Sequence, residues 1–179
     1  AVEGRRDIAG NSYQALSSDA GGKQHGENPS AVGFDELHAQ KDDDLYEAMT
    51  TGSIARVQPL IIFTTTADIE GRKSVCNAEY EYARNVRDGI VDDPYYLVVI
   101  YEADKTDDWH AESTWRKANP NWDVINQEEF RAQYRRARDD VSKENSFKRW
   151  HLNIRTEQVS RWLALEHWRG CKTPLSLVD

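Results

Sequence analysis

Cysteine is scarce in this chain, positive charge is outnumbered, and no long apolar run is present. Only two of the 179 residues are cysteines, Cys76 and Cys171, and their separation fits no zinc-binding spacing. Few cysteines favour a reducing, intracellular setting over a disulfide-stabilised secreted protein. No apolar stretch approaches the ~18 residues of a membrane-spanning helix, and no signal peptide is visible. These absences argue against secreted, zinc-binding and membrane-spanning proteins.

The charge balance is acidic, with 31 Asp and Glu against 23 Lys and Arg and a net charge of −8. A protein coated in basic surface for nucleic acid would have the opposite balance, although a local basic groove stays compatible with this one. Large core groups are plentiful, since there are six Trp, eight Tyr and four Phe. The length suits one domain, or one domain with an appendage.

Three apolar runs predict buried strands at 31–34, 59–63 and 95–101, and each run ends in polar residues. A shorter strand is predicted at 12–18. Helices are predicted between and after the strands, at 42–50, 74–89, 127–143, 146–154 and 161–171. Strands that alternate with helices indicate an α/β domain with a mainly parallel sheet. No strand pattern follows residue 104, so we place a boundary there, before a helical connector.

Two adjacent acids, Asp35 and Glu36, follow the first of these apolar runs directly. Parallel sheets bind ligands at the carboxyl ends of their strands. A buried strand that ends in two acids is the arrangement of a Walker B motif, in which the first acid binds the Mg²⁺ of a nucleotide and the second orients the attacking water. The alternative is an ordinary junction between a strand and a polar loop, because short motifs have a high false-positive rate.

Three threonines, Thr64 to Thr66, follow the second apolar run in the same way. A hydroxyl cluster at the same sheet edge as Asp35 and Glu36 would sense a γ-phosphate through the attacking water. Alone, the threonines are more typical of a strand end with a local turn between side chain and backbone. Together with the acid pair they favour a nucleotide site. His38 could face the same edge, although histidines without a ligand cluster are mostly surface residues.

A phosphate-binding loop is missing, because Gly21-Gly22-Lys23 lacks the other residues of G-x-x-x-x-G-K-[ST]. We therefore expect the main phosphate cradle to lie outside these residues. A basic run between 131 and 149 is interrupted by acids and is typical of a solvated helix with ion pairs four residues apart. Contact with a phosphate backbone is the less favoured interpretation of that run.

Several blocks of the sequence, in order, resemble the large terminase subunit of tailed bacteriophages. They are H-G-E-N-P (25–29), V-G-F-D-E-L-H-A-Q (32–40), L-Y-E-A-M-T-T-G (45–52), A-R-V-Q-P-L-I-I-F-T-T-T-A (55–67), C-N-A-E-Y-E-Y-A (76–83), Y-E-A-D-K-T-D-D-W (101–109), W-R-K-A-N-P (115–120), L-N (152–153) and W-L-A-L-E-H-W-R-G-C (162–171). The resemblance runs from about Ser12 to Cys171. The ordered series is far more specific than the acid pair alone.

The resemblance implies a P-loop-type ATPase of the additional-strand, catalytic-glutamate class, with ATP and Mg²⁺ as cofactors. Asp35 would be the metal-binding Walker B acid, and Glu36 the catalytic glutamate beside the bound nucleotide. Thr64, Thr65 and Thr66 would form the coupling motif that links hydrolysis to movement. The family also has an RNase H-like nuclease domain, which uses acidic residues and divalent metal to cut DNA.

The resemblance further implies a DNA-packaging motor. Its partners would be double-stranded DNA, the portal protein and the small terminase subunit, and the assembled motor would be a homo-oligomeric ring. No membrane partner is expected. The protein would act in the host cytoplasm and be absent from the mature virion.

Neither a Walker A loop nor assignable nuclease acids are present in the sequence. Residues 1–104 are therefore expected to be the C-terminal half of the ATPase domain, and 105–179 a helical linker that leads to a nuclease domain beyond this chain. Such a fragment would not hydrolyse ATP by itself at a useful rate. Two alternatives stay open: a helicase-like ATPase, since residues 35–38 fit D-E-x-H, and a non-catalytic α/β interaction module with a structural acid pair. The blocks around Trp109 and Asn119-Pro120 count against the helicase.

Overall fold

The computed structural model of the chain describes residues 5–8, 11–17, 28–40 and 43–160. The chain separates into two compact units, one formed by Ala1–Thr66 with Arg72–Val98 and the other by Ala67–Gly71 with Val99–Asp179. Within the described residues, no helix combines the length and apolarity that a membrane crossing would need. The Gly21-Gly22-Lys23 loop, Cys171 and the predicted helix at 161–171 lie outside the described residues.

The first unit contains two separate pairs of strands. Strands β1 (Arg5–Ile8) and β2 (Asn11–Gln14) pair antiparallel. Strands β3 (Ala31–Phe34) and β4 (Leu60–Phe63) pair in parallel, with Ala31 opposite Leu60 and Phe34 opposite Phe63. The predicted strands at 31–34 and 59–63 are thereby confirmed, except that Pro59 stays outside the ladder, as expected for a residue with no N–H to donate. The strand predicted at 12–18 is shorter, and Ser18 lies outside the described residues.

Helices α1 (Asp44–Gly52) and α2 (Val75–Arg87) complete the first unit, with two short 3₁₀ turns at Leu37–Ala39 and Ser53–Ala55. The Ser74 side chain caps α2 by accepting a hydrogen bond from the Asn77 backbone N–H at 3.2 Å. Gly89 follows the last turn with a φ of 72°. This left-handed conformation is easily reached by glycine and ends the helix, as the sequence predicts.

One face of the β3–β4 sheet is covered, and the other is open. The covered face belongs to a core of buried residues from the strands and helices, namely Phe34, Leu37, Leu45, Ala48, Met49, Val75 and Cys76. The rings of Phe34 and Phe63 stack at 5.4 Å between centroids. On the open face, Leu60 and Ile62 are 55% and 50% exposed. The carboxyl ends of β3 and β4 are therefore packed against a hydrophobic core on one face of the sheet only.

The third strand predicted, at 95–101, is wrong in this structure. These residues form no ladder with any described strand, and alternate side chains are exposed: Tyr95, Leu97, Val99 and Tyr101. The period-two pattern that predicted the strand is present in the sequence. A strand forms only when a neighbouring strand supplies hydrogen-bond partners for its backbone, and no described strand does so here.

The second unit is built from α3 (Glu112–Ala118), α4 (Gln127–Asp139) and α5 (Val141–Leu152). The predicted helices 127–143 and 146–154 are confirmed, with the break displaced to Asp140. There the Asp140 side chain caps α5 by accepting from the Ser142 N–H at 3.0 Å. A capping carboxylate at this point stabilises a new helix start more than it would stabilise a continued helix.

The helices of the second unit enclose an aromatic core of their own. Its buried members are Ala103, Trp115, Ala118, Trp122, Phe130, Ala137, Phe147, Leu152 and Ile154. The apolar faces of these helices predict that Phe130, Tyr134 and Trp150 pack against the ATPase core. That expectation is wrong: Phe130 and Tyr134 pack within this second core, and Trp150 is 55% exposed. Trp162 and Trp168, expected at the same contact, lie outside the described residues.

A short segment of the chain, Ala67–Gly71, also belongs to the second unit. Ile69 forms an isolated parallel bridge with Thr156, and the Glu70 N–H donates to the Thr156 carbonyl at 2.9 Å. Glu70 also forms an ion pair with Lys105. This segment follows the threonine cluster directly along the chain.

Candidate active site

The acid pair and the threonine cluster meet at one edge of the β3–β4 sheet. Because Phe34 lies opposite Phe63, the next residues on each strand, Asp35 and Thr64, are also neighbours. Backbone bonds continue the ladder past the strand ends: Thr64 N–H donates to Phe34 O at 2.9 Å, and Leu37 N–H donates to Thr64 O at 3.2 Å. The structure thus brings together the residues that the sequence selects as a candidate site.

Asp35 is held by its first carboxylate oxygen. The Thr64 hydroxyl donates to Asp35 Oδ1 at 2.8 Å, and the Glu36 N–H donates to the same atom at 3.1 Å. Among the described residues, Asp35 Oδ2 has no hydrogen-bond partner, and the side chain is exposed. The carboxylate is therefore oriented by one oxygen while the other stays available to a ligand.

Glu36 has a backbone conformation that is unusual for a residue with a side chain. Its φ of 53° and ψ of 51° place it in the left-handed region, at the start of the 3₁₀ turn Leu37–Ala39. Such a conformation costs of the order of 1–3 kcal/mol and persists only where the surroundings enforce it. Here the turn buries Leu37 at 2% exposure, while the Glu36 side chain is 58% exposed. The backbone at Glu36 thus directs the carboxylate to solvent, while the next residue, Leu37, is buried in the core.

His38 lies between the two strand ends. Its Nδ1 is 3.1 Å from Glu36 Oε2, 3.2 Å from Thr65 Oγ1 and 3.3 Å from Thr66 Oγ1. Its backbone N–H donates to Thr65 Oγ1 at 3.0 Å. The sequence suggests only that His38 could face this edge. Its contact with both clusters depends on the 3₁₀ turn that starts at Glu36, which spacing in the sequence does not reveal.

Cys76 is a further neighbour that sequence reasoning missed. It is buried in the first turn of α2, and its Sγ lies 3.7 Å from Thr65 Oγ1. No motif in the sequence relates a cysteine at this position to the threonine cluster. Only the packing of α2 against the strand ends reveals the contact.

A network of tyrosines around Glu79 was also not anticipated. The Glu79 carboxylate accepts hydrogen bonds from Tyr46 at 2.5 Å and from Tyr96 at 2.7 Å. Burial and, after it, the hydrogen bond to Glu79 raise the pKa of both tyrosines above the ordinary value. The network connects α1, α2 and the start of the 95–101 segment within the first unit.

The donor set suits Mg²⁺ better than a metal that needs a complete protein cage. No group of three or more His, Cys, Asp or Glu side chains able to hold a metal ion exists in the described ranges. Mg²⁺ commonly uses one or two carboxylates and completes its shell with waters and substrate phosphates. The unpartnered Oδ2 of Asp35 and the nearby Thr64 hydroxyl fit that pattern of hard oxygen donors.

The basic run of α4 and α5 consists largely of paired or buried residues. Arg131 pairs with Glu112 at 3.2 Å, Arg138 with Asp139 at 2.8 Å, and Lys148 with Glu144. Arg149 is 5% exposed and donates to Thr156 Oγ1 at 2.7 Å. These contacts agree with the interpretation as a helix surface with local ion pairs rather than a binding groove for phosphates.

A small parallel sheet with an acid pair and a hydroxyl cluster at one edge is typical of P-loop ATPase domains. Family models agree: the terminase large subunit ATPase domain matches residues 5–85, and the terminase large subunit endonuclease domain matches residues 90–178. The chain belongs to the terminase large subunit family. The endonuclease match begins within the part predicted to be ATPase, and the boundary at residue 104 stays a prediction.

Individual relatives support the same family. The chain is 35% identical over 150 residues to Protein YmfN of Escherichia coli (strain K12), which covers 82% of this chain and 32% of that protein. It is 29% identical over 163 residues to the large terminase subunit of Enterobacteria phage HK97, which covers 89% of this chain and 31% of that protein. This chain therefore spans about a third of the length of these curated relatives.

A solved structure confirms the fold class. The crystal structure of the HK97 bacteriophage large terminase matches with a TM-score of 0.63 at 25% identity, over 82% of this chain and 30% of that one. The predicted α/β fold of P-loop type, followed by helices, is thereby confirmed. Neither the helicase-like alternative nor the interaction module gains support from these matches.

Proposed function

We propose that this chain is part of a viral DNA-packaging motor that couples ATP hydrolysis to the translocation of double-stranded DNA into a capsid. The single observation that carries the proposal is the contact between Asp35 and Thr64, which joins the acid pair to the threonine cluster at one sheet edge. Family membership supports the class of motor. Cleavage of the DNA would be performed by the endonuclease domain of the terminase, whose family model matches residues 90–178 of this chain.

In this proposal, each residue at the edge has a separate task. Asp35, oriented through Oδ1 by Thr64, would hold the Mg²⁺ of a bound ATP. When bound, Mg²⁺ would neutralise the charge that develops on the phosphates. Glu36, whose side chain is exposed at the start of the turn, accepts a proton from the attacking water. Thr64 to Thr66 transmit the state of the site to the rest of the chain.

The wider assignments follow from the family. The motor would act as a homo-oligomeric ring with the portal protein and the small terminase subunit, in the host cytoplasm, and would grip DNA through its phosphates without reading sequence.

The first test measures ATP hydrolysis by this chain, which carries no phosphate-binding loop. With Mg²⁺-ATP, the 179-residue chain should release no more phosphate than a protein-free blank, with or without duplex DNA. Loss of positioning alone removes about 7–11 kcal/mol of barrier lowering. Robust turnover by this chain, abolished by Glu36→Gln, would show that the phosphate site has been misplaced.

The second test concerns Glu36 in a chain that contains the loop. Glu36→Gln should keep ATP binding and lose hydrolysis, because an amide cannot accept the proton of the attacking water. Glu157→Gln is the matched control, since Glu157 is exposed and has no role in the site. Near-normal turnover in Glu36→Gln would remove Glu36 from the mechanism.

A further inference from the structure

The three oxygen neighbours of His38 Nδ1 belong to both halves of the candidate site. Glu36 supplies one at 3.1 Å, and Thr65 and Thr66 supply the others at 3.2 and 3.3 Å. The imidazole is held from the backbone as well, since the His38 N–H donates to Thr65 Oγ1. His38 therefore contacts the acid pair through Glu36 and the threonine cluster through Thr65 and Thr66.

The hydrogen-bond directions around Thr65 determine which ring nitrogen of His38 carries a proton. The Thr65 hydroxyl lies 2.9 Å from the Thr66 carbonyl and can donate its one proton there, in which case Thr65 Oγ1 accepts from His38. An ionised Glu36 carboxylate can also only accept. Two of the three neighbours of Nδ1 thus require a donor. This arrangement selects an imidazole with the proton on Nδ1, because the partner of each ring nitrogen sets the tautomer.

We propose that His38 is a positioning residue for Glu36, holding its carboxylate through Nδ1–H beside the threonine hydroxyls. The proposal rests on the proposed function, in which Glu36 orients the attacking water. At 58% exposure the Glu36 side chain has few other restraints, so one directional hydrogen bond decides where its carboxylate lies. An oriented general base is more effective than a mobile one.

The same geometry gives the threonine cluster a means to act on Glu36. Thr65 Oγ1 and Thr66 Oγ1 lie at distances from Nδ1 within 0.2 Å of the Glu36 distance, so as acceptors they would compete with Glu36 for one proton. In this competition, the hydrogen bond would pass from Glu36 to Thr65. His38 would then release the carboxylate without any change in Glu36 itself. The threonine cluster is thus coupled to Glu36 because both compete to accept the hydrogen bond of His38 Nδ1–H.

The first experiment reads the proton directly and needs no ATP. Two-bond ¹⁵N–¹H NMR of this chain, labelled at histidine, reports which ring nitrogens are protonated, and His38→Ala identifies the His38 signals. The expected result is a protonated Nδ1, whether the ring is neutral or charged, and a changed Nδ1 resonance in Glu36→Ala but not in Glu157→Ala. A neutral ring with its proton on Nε2 alone, or an Nδ1 resonance unmoved by Glu36→Ala, would overturn the proposal.

The second experiment uses a matched pair of substitutions in a chain that also carries the phosphate-binding loop. An asparagine amide places an N–H close to the position of Nδ1, whereas a glutamine amide reaches toward the position of Nε2. We expect His38→Ala and His38→Gln to lower kcat by about 10- to 100-fold, as for other residues that orient a reacting group, with KM for ATP unchanged. His38→Asn should restore most of the rate.

The two experiments distinguish the two proposals. Equal rates for His38→Asn and His38→Gln would refute a positioning role through Nδ1. If the parent chain with the loop neither binds nor hydrolyses ATP, the proposed function fails, while the NMR result still decides whether His38 holds Glu36.

Discussion

Trp115 is the residue whose removal best tests the second core. Its ring is 6% exposed and lies 4.7 Å from the Tyr134 ring, 5.4 Å from Phe130 and 6.1 Å from Trp122, measured between centroids. Its indole N–H donates to the Trp109 carbonyl at 2.8 Å. Trp115→Ala would therefore open a cavity between α3, α4 and α5 and leave a carbonyl without its partner.

The expected cost can be worked from these contacts. Truncating a buried tryptophan to alanine typically costs about 3–5 kcal/mol, and a lost hydrogen bond accounts for about 1 kcal/mol of such a change. With a urea dependence of about 2 kcal/mol per M, the unfolding midpoint should fall by about 1.5–2.5 M. Trp115→Phe keeps the ring contacts but loses the N–H, so its midpoint should lie between the parent and Trp115→Ala.

The assay is urea unfolding followed by far-UV circular dichroism, which reports on α3, α4 and α5 together with α1 and α2 of the first unit. Trp150→Ala is the matched control: the same residue type at 55% exposure on α5, expected to change the free energy of unfolding by less than about 1 kcal/mol. Equal shifts for Trp115→Ala and Trp150→Ala would refute the reasoning, because they would show that helical stability does not depend on the aromatic core.

Two further outcomes are expected. Because burial and Glu79 raise the pKa of Tyr46 and Tyr96, the folded state keeps these phenol protons longer than the unfolded chain does. The resulting stabilisation of the folded state is fully present below pH ~10 and is lost as the pH rises toward the raised pKa values. The free energy of unfolding, measured across pH 8–12, should therefore fall with pH. A free energy of unfolding that rises over this range would contradict the prediction. Leu60 and Ile62 leave an apolar sheet face open, so this chain should self-associate, and the double change Leu60→Lys, Ile62→Lys should reduce that in size-exclusion chromatography with light scattering. Val57→Lys, at a fully exposed position outside the strand, should have little effect, and an equal effect there would exclude the sheet face as the cause.

The sequence predicts the edge of the sheet well because that edge depends on local patterns. An apolar run with polar residues after it places both β3 and β4, and the parallel register then brings Asp35 next to Thr64. The helices of the second unit follow from periodicity and capping residues in the same way. Their boundary at Asp140 was displaced because one side-chain oxygen decides it.

The predictions that failed depend on partners distant in the chain. The run at 95–101 has the composition of a strand, but pairing requires a second backbone, which no described strand supplies. The aromatic side chains of α4 were assigned to the wrong core because amphipathicity shows which face is buried but not what covers it. The contact of His38 with Thr65 spans 27 residues and follows from the turn geometry at Glu36, which no composition or spacing reports.

The segment Ala67–Gly71 makes the second unit discontinuous in sequence. The chain passes from the first unit to the second immediately after Thr66, returns at Arg72, and crosses again at Val98. Residues 99–160 expressed alone would lack the strand partner of Thr156, the ion-pair partner of Lys105 and the buried Asp68 carboxylate that faces Arg149. Cutting the chain after Val98 would leave Ala67–Gly71, a part of the second unit, on the N-terminal piece. For this protein, neither compact unit is one continuous stretch of sequence. Recombination between homologous genes at a single crossover point therefore cannot exchange a complete unit.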